Sequence, residues 1–262
     1  MRFKDKVVWI TGASSGLGEA MAKGFNAEGA KIILSARNVQ ELKRVQDSFT
    51  NKNTPSLVLP FDVQNYNEAP VIAQQALQSF DKIDILINNA GISQRSLAKD
   101  TPFKDELRLI EVDLIGTIAL TKAILPEIIN QSGQIVVISS VMGKINTKYR
   151  SAYAAAKHGL VGYFESLRLE MMDEGVNVMT ILPGFIATNI AKNALGASDE
   201  ITKNSQNSLG LTPDLFAQKA LSAISQRKGN IYIGGMKEKI AMLLKRLSPS
   251  LFDSFIKNKK VT

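Results

Sequence analysis

The chain has 262 residues, 45% of them hydrophobic, so it can bury the core of one large α/β domain or two small ones, which excludes disorder as its main state. It has no cysteine and a single histidine, His158, which excludes a disulfide framework, a thiol nucleophile, a thiolate metal site and a histidine cluster. The net charge of +8 raises the question of an anionic partner such as nucleic acid.

The positive charge is concentrated at the C-terminal end. Residues 237–262 contain seven basic and two acidic residues, a local charge of +5, which leaves only +3 of the total for the rest of the chain. Because these basic residues are not interleaved with aromatic ones, we expect no nucleic-acid binding. We also expect no metal site.

Short β-branched runs alternate with helical patterns along the whole chain. Apolar residues recur at helical spacing from Leu17 to Phe25, and Gly29 is placed to end that helix. The alternation predicts one Rossmann-type, doubly wound α/β domain over residues 1–262. It has a seven-stranded parallel sheet, helices on both faces, and ligands at the carboxyl ends of the strands. The predicted strands are residues 7–10, 31–35, 56–61, 83–87, 134–138, 177–182 and 230–233.

The longest stretch without a clear strand is the polar segment 188–211, which contains two glycines. In a compact domain such a stretch is either a functional lid over the substrate or a variable surface excursion. We therefore expect this segment to be a variable substrate loop.

A glycine-rich loop, residues 11–18, lies between the first predicted strand and the first predicted helix. Its glycines at 12, 16 and 18 allow a tight turn, close approach of a pyrophosphate, and packing of the helix on the sheet. The amino terminus of the helix adds free N–H groups and partial positive charge. This position in a βαβ unit predicts dinucleotide binding.

The end of the second predicted strand discriminates between dinucleotides. NAD sites usually have an acidic residue there for the ribose 2′-hydroxyl, but residues 35–38 contain none. Arg37 could pair with a 2′-phosphate, with Ser14 and Asn38 as further donors. The alternative is a solvated arginine at the start of a surface helix. We expect NADP(H) as the cofactor.

A tyrosine and a lysine lie one helical turn apart in an alanine-rich segment. The phenol of Tyr153 and the ammonium of Lys157 therefore share one helix face. The ammonium favours the phenolate form, so Tyr153 can donate a proton to a developing alkoxide or accept one in the reverse direction. By itself this spacing is weak evidence, because most such pairs serve packing or the surface.

Several motifs together resemble the short-chain dehydrogenase/reductase family over nearly the whole chain. Besides the glycine loop, they are an Asp-Val pair after the third strand, an Asn-Asn-Ala-Gly turn at 88–91, a Ser-Tyr-Lys set and a Pro-Gly-x-x-x-Thr segment at 183–188. The resemblance implies cofactor binding by Gly12, Ser14, Ser15, Gly16, Leu17, Gly18, Arg37, Asn38, Asp62, Val63, Asn89, Ala90, Gly91, Tyr153, Lys157, Pro183, Gly184, Ile186 and Thr188.

The resemblance also implies the chemistry. Ser140 would hydrogen-bond to the substrate oxygen and orient it, Tyr153 would be the general acid or base, and Lys157 would also hold the nicotinamide ribose. Hydride would pass between the nicotinamide and the carbonyl carbon. The Ser-Ala-Arg ending of the second strand resembles the NADP-preferring branch. Residues 120–126 and 247–252 resemble the subgroup related to hydroxysteroid dehydrogenases and to the seventh dehydrogenase/reductase member.

One position departs from the family pattern. The family usually has an asparagine in the helix after the Asn-Ala-Gly turn, which completes a catalytic tetrad and holds a relaying water; the matching residue here is Asp113. A carboxylate cannot donate a hydrogen bond, and its charge opposes formation of a phenolate. Either the relay tolerates aspartate, or activity is reduced or differently pH-dependent. The second case leaves open a dinucleotide-binding regulator or scaffold with weakened catalysis.

The basic tail, residues 237–262, has an apolar helical face. It either packs on the domain or on a subunit neighbour, or makes a peripheral membrane contact near lipid-like substrates. No stretch reaches the roughly 20 apolar residues that span a bilayer, and the opening residues lack the long apolar run of a signal peptide, so a cytoplasmic protein is expected. The apolar face consists of Ile240, Leu243, Leu244 and Leu247.

Apolar residues are also expected around the reacting carbonyl. They predict an apolar ketone, aldehyde or secondary alcohol as substrate, held at Ser140 and Tyr153. The family resemblance further implies a homodimer or homotetramer. The predicted pocket residues are Ile92, Met142, Phe185 and Leu195.

Overall fold

The computed structural model describes residues 1–188, 190, 193–196 and 210–257. The strands of its sheet are β1 (Val7–Thr11), β2 (Lys31–Ser35), β3 (Ser56–Val58), β4 (Ile85–Asn88), β5 (Gln134–Ile138), β6 (Asn177–Pro183) and β7 (Ile231–Ile233). In the part of the chain described, they form a seven-stranded sheet in the order β3-β2-β1-β4-β5-β6-β7, and each neighbouring pair is parallel. The predicted doubly wound parallel sheet is confirmed.

The helices cover both faces of this sheet. They are α1 (Gly16–Ala27), α2 (Val39–Asp47), α3 (Ala69–Phe80), α4 (Phe103–Ile110), α5 (Gly116–Asn130), α6 (Ser151–Glu170), α7 (Pro213–Ser225), α8 (Met236–Leu247) and α9 (Pro249–Lys257). Val8 and Ile10 of β1 face α1, α2 and α7, whereas Val7 and Trp9 face α3, α5 and α6. Strand side chains alternate between faces, so each strand contributes to both cores.

The order of the strands reverses between β1 and β4. From β1 the chain crosses over to β2 and β3 on one side, and from β4 it crosses over to β5, β6 and β7 on the other. The connections after β1 and β4 therefore diverge and leave a crevice at the carboxyl ends of these two strands. In open α/β sheets this crevice is where ligands bind.

Strand β3 is shorter than the predicted segment 56–61. Beyond Val58 the pairing with β2 continues only through separate hydrogen bonds, from Leu59 N to Leu34 O at 2.9 Å and from Phe61 N to Ala36 O at 3.2 Å. Pro60 between them is tolerated because β3 is an edge strand of the sheet.

A third apolar cluster joins the C-terminal helices to the crevice side of the domain. Phe252 of α9 is fully buried and packs in the same cluster as Tyr153 and Met142, and α8 contributes Met242 and Leu244. The two tail helices therefore form one wall of the region around Tyr153.

The predicted apolar face of the tail is divided between core and solvent. Leu244 packs inward, whereas Ile240, Leu243 and Leu247 are 59%, 56% and 73% exposed. Among the described residues, none of the helices has both the length and the apolar character required to cross a bilayer.

Most of the predicted substrate loop, 188–211, lies outside the described residues. Its described parts are tied to the domain by two isolated bridges, one between Leu195 and Gln94 and the other between Leu211 and Ile186. The first of these bridges brings Leu195 beside the segment that follows β4.

Candidate active site

The glycine loop and the Asn-Asn-Ala-Gly turn pack directly against each other at the crevice. Gly12 and Gly16 adopt left-handed backbone conformations, with φ of +63° and +57°. A Cβ atom on Gly12 would lie 2.8 Å from Ala90 Cα, and one on Gly18 would lie 2.6 Å from Asn89 Nδ2. Only glycine permits this approach, because larger residues would push the two turns apart.

Hydrogen bonds fasten the two turns together. Asn89 Nδ2 donates to the carbonyl oxygens of Thr11 at 3.0 Å and Gly12 at 3.2 Å. The Thr11 hydroxyl oxygen accepts from the backbone N–H groups of Asn89 and Ala90, both at 3.0 Å. Asn88, one residue earlier, donates to Thr121 Oγ1 of α5 at 2.9 Å. The side chain of Asn89 thus shapes the loop itself.

The loop is also held from the side of α2. Arg44 donates to the carbonyl oxygen of Ser14 at 3.2 Å and to Glu19 of α1 at 2.8 Å. The hydrogen bonds from Arg44, together with Lys23, lower the pKa of Glu19 to about 2. Ser15, at the N-cap of α1, makes no side-chain capping bond within the described residues. The first N–H groups of α1 are therefore available to a phosphate, and the site fits a dinucleotide.

Arg37 and Asn38 lie where β2 ends, at the outer side of the crevice. The Asn38 side-chain oxygen caps α2 by accepting from Glu41 N at 3.1 Å, which leaves its amide nitrogen as a donor. Arg37 is exposed, and none of the described carboxylates pairs with it. The end of β2 thus presents two exposed hydrogen-bond donors, and residues 35–38 contain no carboxylate.

Asp62 and Val63 follow β3 at the same edge of the sheet. Asp62 Oδ1 accepts from Gln64 N at 3.0 Å, which stabilises the turn. The carbonyl group of Val63 packs against the first residue of α5, Gly116, so closely that a Cβ atom there would overlap it. The pair therefore lies between the end of β3 and α5.

The segment 183–188 lies over the glycine loop. Gly184 N donates to Ile233 O at 2.9 Å, and Ala187 N donates to Leu211 O at 3.0 Å. A Cβ atom on Gly16 would lie 3.5 Å from Thr188 Cγ2, which places Thr188 at the first turn of α1. The predicted nicotinamide segment and the predicted pyrophosphate loop are thus adjacent.

Tyr153 and Lys157 project from the same face of α6, and both side chains are buried. Lys157 Nζ lies 5.6 Å from the centroid of the Tyr153 ring. Ser140 follows β5, and its hydroxyl oxygen accepts from Met142 N at 3.1 Å. Ser139 Oγ donates to the carbonyl oxygen of Lys157 at 3.0 Å, which ties the end of β5 to α6.

Gln94 is a residue that the sequence did not single out. Its side-chain oxygen accepts from Ala152 N at 2.9 Å and from Tyr153 N at 3.4 Å, and its amide nitrogen donates to Ser151 Oγ at 3.3 Å. The Gln94 side chain therefore pairs backbone N–H groups in the first turn of α6 that have no partner within the helix. This contact sets the position of Tyr153. Its partners are more than fifty residues away in the sequence, so no local pattern signals this role.

Asp113 and Lys157 form a buried ion pair, with Oδ2 and Nζ 3.0 Å apart and side chains only 0% and 5% exposed. A π-helical turn, Glu111–Ile115, carries Asp113, and Asp113 Oδ1 accepts from Ile92 N at 2.7 Å. Oδ2 accepts no well-directed hydrogen bond from the described residues, so its contact with Nζ is mainly electrostatic. A Cβ atom on Gly91 would lie 3.1 Å from Oδ2, so a larger residue at position 91 would crowd the pair.

The ion pair determines the charge state at the site. Burial raises the pKa of Asp113, because the carboxylate loses its hydration. Burial alone would lower the pKa of Lys157, but the charges of Asp113 and Tyr153 outweigh it and raise that pKa above its ordinary value. Lys157 therefore remains an ammonium ion beside the tyrosine.

Three of the four predicted pocket residues gather around Tyr153. Met142, Ile92 and Leu195 lie in the same apolar cluster as the tyrosine, together with the tail residues described above. Phe185 lies outside that cluster and is 41% exposed. The surroundings of Tyr153 are therefore largely apolar. His158 is at the exposed surface of α6, with Nδ1 2.9 Å from Ala154 O.

A glycine loop at the switch point of a parallel sheet, facing a Ser-Tyr-Lys set, defines a Rossmann-type oxidoreductase. The short chain dehydrogenase family model matches residues 6–198. A dehydrogenase/reductase SDR family protein 7-like from Drosophila melanogaster is 39% identical over 94% of this chain and 78% of its own. The chain therefore belongs to the short-chain dehydrogenase/reductase family and is a dehydrogenase/reductase, as its motifs predicted.

Solved structures agree with this fold. A short chain dehydrogenase/reductase from Burkholderia phymatum in complex with NAD matches 100% of this chain and 98% of its own with a TM-score of 0.84 at 23% identity. An alcohol dehydrogenase from the archaeon Thermococcus sibiricus, complexed with 5-hydroxy-NADP, matches 89% of this chain and 97% of its own with a TM-score of 0.78 at 22% identity.

Removal of the Asp113 carboxylate should destabilise the protein strongly. We expect Asp113→Ala to lower the free energy of unfolding by about 3–5 kcal/mol, because it leaves the buried Lys157 ammonium without a partner. Asp113→Asn should lower the free energy of unfolding by clearly less than Asp113→Ala, because the asparagine amide oxygen still accepts a hydrogen bond from Ile92 N. Urea unfolding measures both values, and an alanine variant as stable as the asparagine variant would contradict the argument.

Proposed function

We propose that this protein is an NADP(H)-dependent oxidoreductase that transfers hydride between nicotinamide and an apolar ketone, aldehyde or secondary alcohol. The observation that carries the proposal is the shared helix face of Tyr153 and Lys157: Lys157 Nζ lies beside Gly91, and Tyr153 packs in the third apolar cluster. The nicotinamide dinucleotide supplies the hydride when it is bound. Apolar walls exclude water and strengthen electrostatic interactions at the reacting carbonyl.

The proton chemistry follows from the hydrogen bonds of the site. Because Ser140 Oγ already accepts from Met142 N, its own hydrogen is free to point at the substrate oxygen. Tyr153 is then the proton donor during reduction and the acceptor during oxidation. The Lys157 ammonium stabilises the phenolate left behind, while Asp113 holds Lys157 in its charged form.

Tyr153→Phe tests this assignment against a regulator or scaffold that binds dinucleotide without turnover. We expect the wild-type protein to oxidise NADPH with a panel of hydrophobic ketones, and the variant to lose about 10²–10⁴-fold in kcat, because only the acid hydroxyl is removed. NADPH binding, followed by fluorescence titration, should persist. Cofactor binding by the wild-type protein without turnover on any ketone would favour the regulator instead.

The preference for NADP(H) rests on the end of β2. Ser35 Oγ accepts from Trp9 Nε1 at 2.8 Å, so this hydroxyl is committed within the core. Beyond it, residues 36–38 contain no carboxylate and offer the exposed guanidinium of Arg37 and the amide of Asn38. Guanidinium binds phosphate through two parallel hydrogen bonds. Of the two solved structures described above, one is a complex with NAD and the other a complex with 5-hydroxy-NADP. The argument for NADP(H) therefore depends on Arg37 and Asn38.

Arg37→Ala should separate the two cofactors. We expect the Kd for NADPH to rise about 10–100-fold, the equivalent of one or two charge-assisted hydrogen bonds, while the Kd for NADH changes little. Lys43→Ala removes an equal charge from the exposed surface of nearby α2 and serves as the control. Equal losses for NADPH and NADH in the Arg37 variant would contradict the preference.

We further propose that the protein is cytoplasmic and touches membranes through its tail. Exposed Ile240, Leu243 and Leu247 lie on α8 together with exposed Lys239 and Arg246. An apolar helix face with basic flanks suits an anionic lipid surface, which would bring the enzyme near apolar substrates.

A sedimentation assay with vesicles tests the tail contact. At low salt we expect the wild-type protein to sediment with vesicles of phosphatidylcholine and phosphatidylserine, and less with phosphatidylcholine alone. The double variant Leu243→Asp, Leu247→Asp should stay in the supernatant, whereas Leu169→Asp, at an equally exposed leucine of α6, should not matter. Absence of wild-type binding at low salt would remove this proposal.

We also propose that the protein is a homodimer or homotetramer. Its subunits associate through the helical segments that carry Asp113 and the Tyr153–Lys157 pair, including α4, which precedes Asp113. Phe103 and Leu107 of α4 are 77% and 46% exposed, which is costly for a monomer in water. Sedimentation velocity distinguishes this assembly from a monomer, and a monomer at micromolar concentration would overturn it.

A further inference from the structure

A buried arginine close to the candidate active site has no ion-pair partner among the described residues. Arg95 is only 4% exposed, and its Nε has no hydrogen-bond partner among the described residues. None of the carboxylates that the structure describes forms an ion pair with it. Buried cations are normally paired, because an isolated charge loses its hydration without compensation.

The backbone around Arg95 connects it to both sides of the pocket. Arg95 N donates to Leu195 O at 2.8 Å, and Leu195 N donates to Ser93 O at 2.7 Å. Gln94, between Ser93 and Arg95 in the sequence, accepts hydrogen bonds from the first turn of α6, which carries Tyr153. The segment 93–95 therefore lies between the apolar cluster of the substrate region and the helix of the proposed acid.

A second arginine, Arg150, lies next to Tyr153 and interacts electrostatically with Arg95. The Arg150 guanidinium is 5.4 Å from the centroid of the Tyr153 ring, and its Nη1 donates to Ser93 Oγ. Burial, and to a smaller extent the positive charge of Arg150, lower the pKa of Arg95 to about 10. No described acid compensates for either of them.

We propose that Arg95 and Arg150 bind an anionic group of the substrate, a carboxylate or a phosphate, while the apolar cluster around Tyr153 holds the rest of the molecule. The proposal rests on the oxidoreductase function proposed above and makes its substrate class narrower. An oxyanion accepts hydrogen bonds from the guanidinium N–H groups, and its negative charge reduces the repulsion between the two arginines. The substrate is then an amphipathic carbonyl compound with its anionic group on the Arg95 side of Tyr153.

Paired substrates test the anion site. The probes are a long-chain keto acid and its methyl ester, together with a long-chain keto alcohol and its phosphate ester. With NADPH saturating, we expect the wild-type kcat/KM to favour an anionic member over its neutral partner by at least about tenfold. The arm that shows the larger preference distinguishes a carboxylate from a phosphate. Equal values within both pairs, or a preference for the neutral members, would overturn the proposal.

Replacing either arginine should weaken the preference for anionic substrates. Arg95→Gln and, independently, Arg150→Gln should reduce the ratio of anionic to neutral kcat/KM by about 10–100-fold, mostly through KM. Lys104→Gln removes an exposed charge of α4 and should keep the wild-type ratio, which controls for net charge. A parallel fall for both members of each pair would show that the arginines serve only structure. The side chain of Arg150 is more exposed than that of Arg95. If Arg95→Gln fails to fold, Arg150→Gln therefore still tests the proposal.

A binding measurement separates this proposal from the function on which it rests. If no ketone is turned over, calorimetric titration with inorganic phosphate decides: weaker binding in both arginine variants than in the wild type and Lys104→Gln supports an anion site in a protein that is not a reductase. Identical phosphate binding in all four proteins, or none in any, would overturn the site.

Discussion

The contact between two backbone turns, the glycine loop after β1 and the Asn-Asn-Ala-Gly turn after β4, is the constraint on which this site depends. Without a Cβ at Gly12 and Gly18 the turns approach closely, and Asn89 then joins them through the carbonyl groups of residues 11 and 12. The contact lies where the strand order reverses. It sets the width of the crevice, and it directs the amino terminus of α1 toward any phosphate bound there.

The same turn also organises the catalytic side. Just beyond Gly91, Ile92 N donates to Asp113, and Asp113 pairs with Lys157. Two residues further on, Gln94 satisfies the first turn of α6 and so positions Tyr153. A short stretch after β4 therefore contacts the glycine loop, the π-helical turn and α6. Shifts in this stretch would move the dinucleotide crevice and the proposed acid together, which is why precise packing matters here.

Charge is distributed unevenly around Tyr153. Lys157 has the buried carboxylate of Asp113 as its partner, whereas Arg95 and Arg150 have no ion-pair partner among the described acids. These two arginines and the apolar cluster around Tyr153 are the basis of the proposed substrate with one anionic end. The exposed leucines and basic residues of α8 are consistent with substrates that partition into membranes.

The sequence by itself determined the fold and predicted most residues of the candidate site. The alternation of strands and helices, the position of the glycine loop and the Tyr-x-x-x-Lys spacing are local patterns, and local patterns are legible along a chain. It also identified Asp113 as the departure from the family. Only the tertiary structure decided what Asp113 does, because its partners Ile92 and Lys157 come from other elements. The same holds for Gln94, Arg95 and the inward turn of Leu244. Burial and unpaired charge arise from contacts between distant segments, and no spacing in the sequence records them.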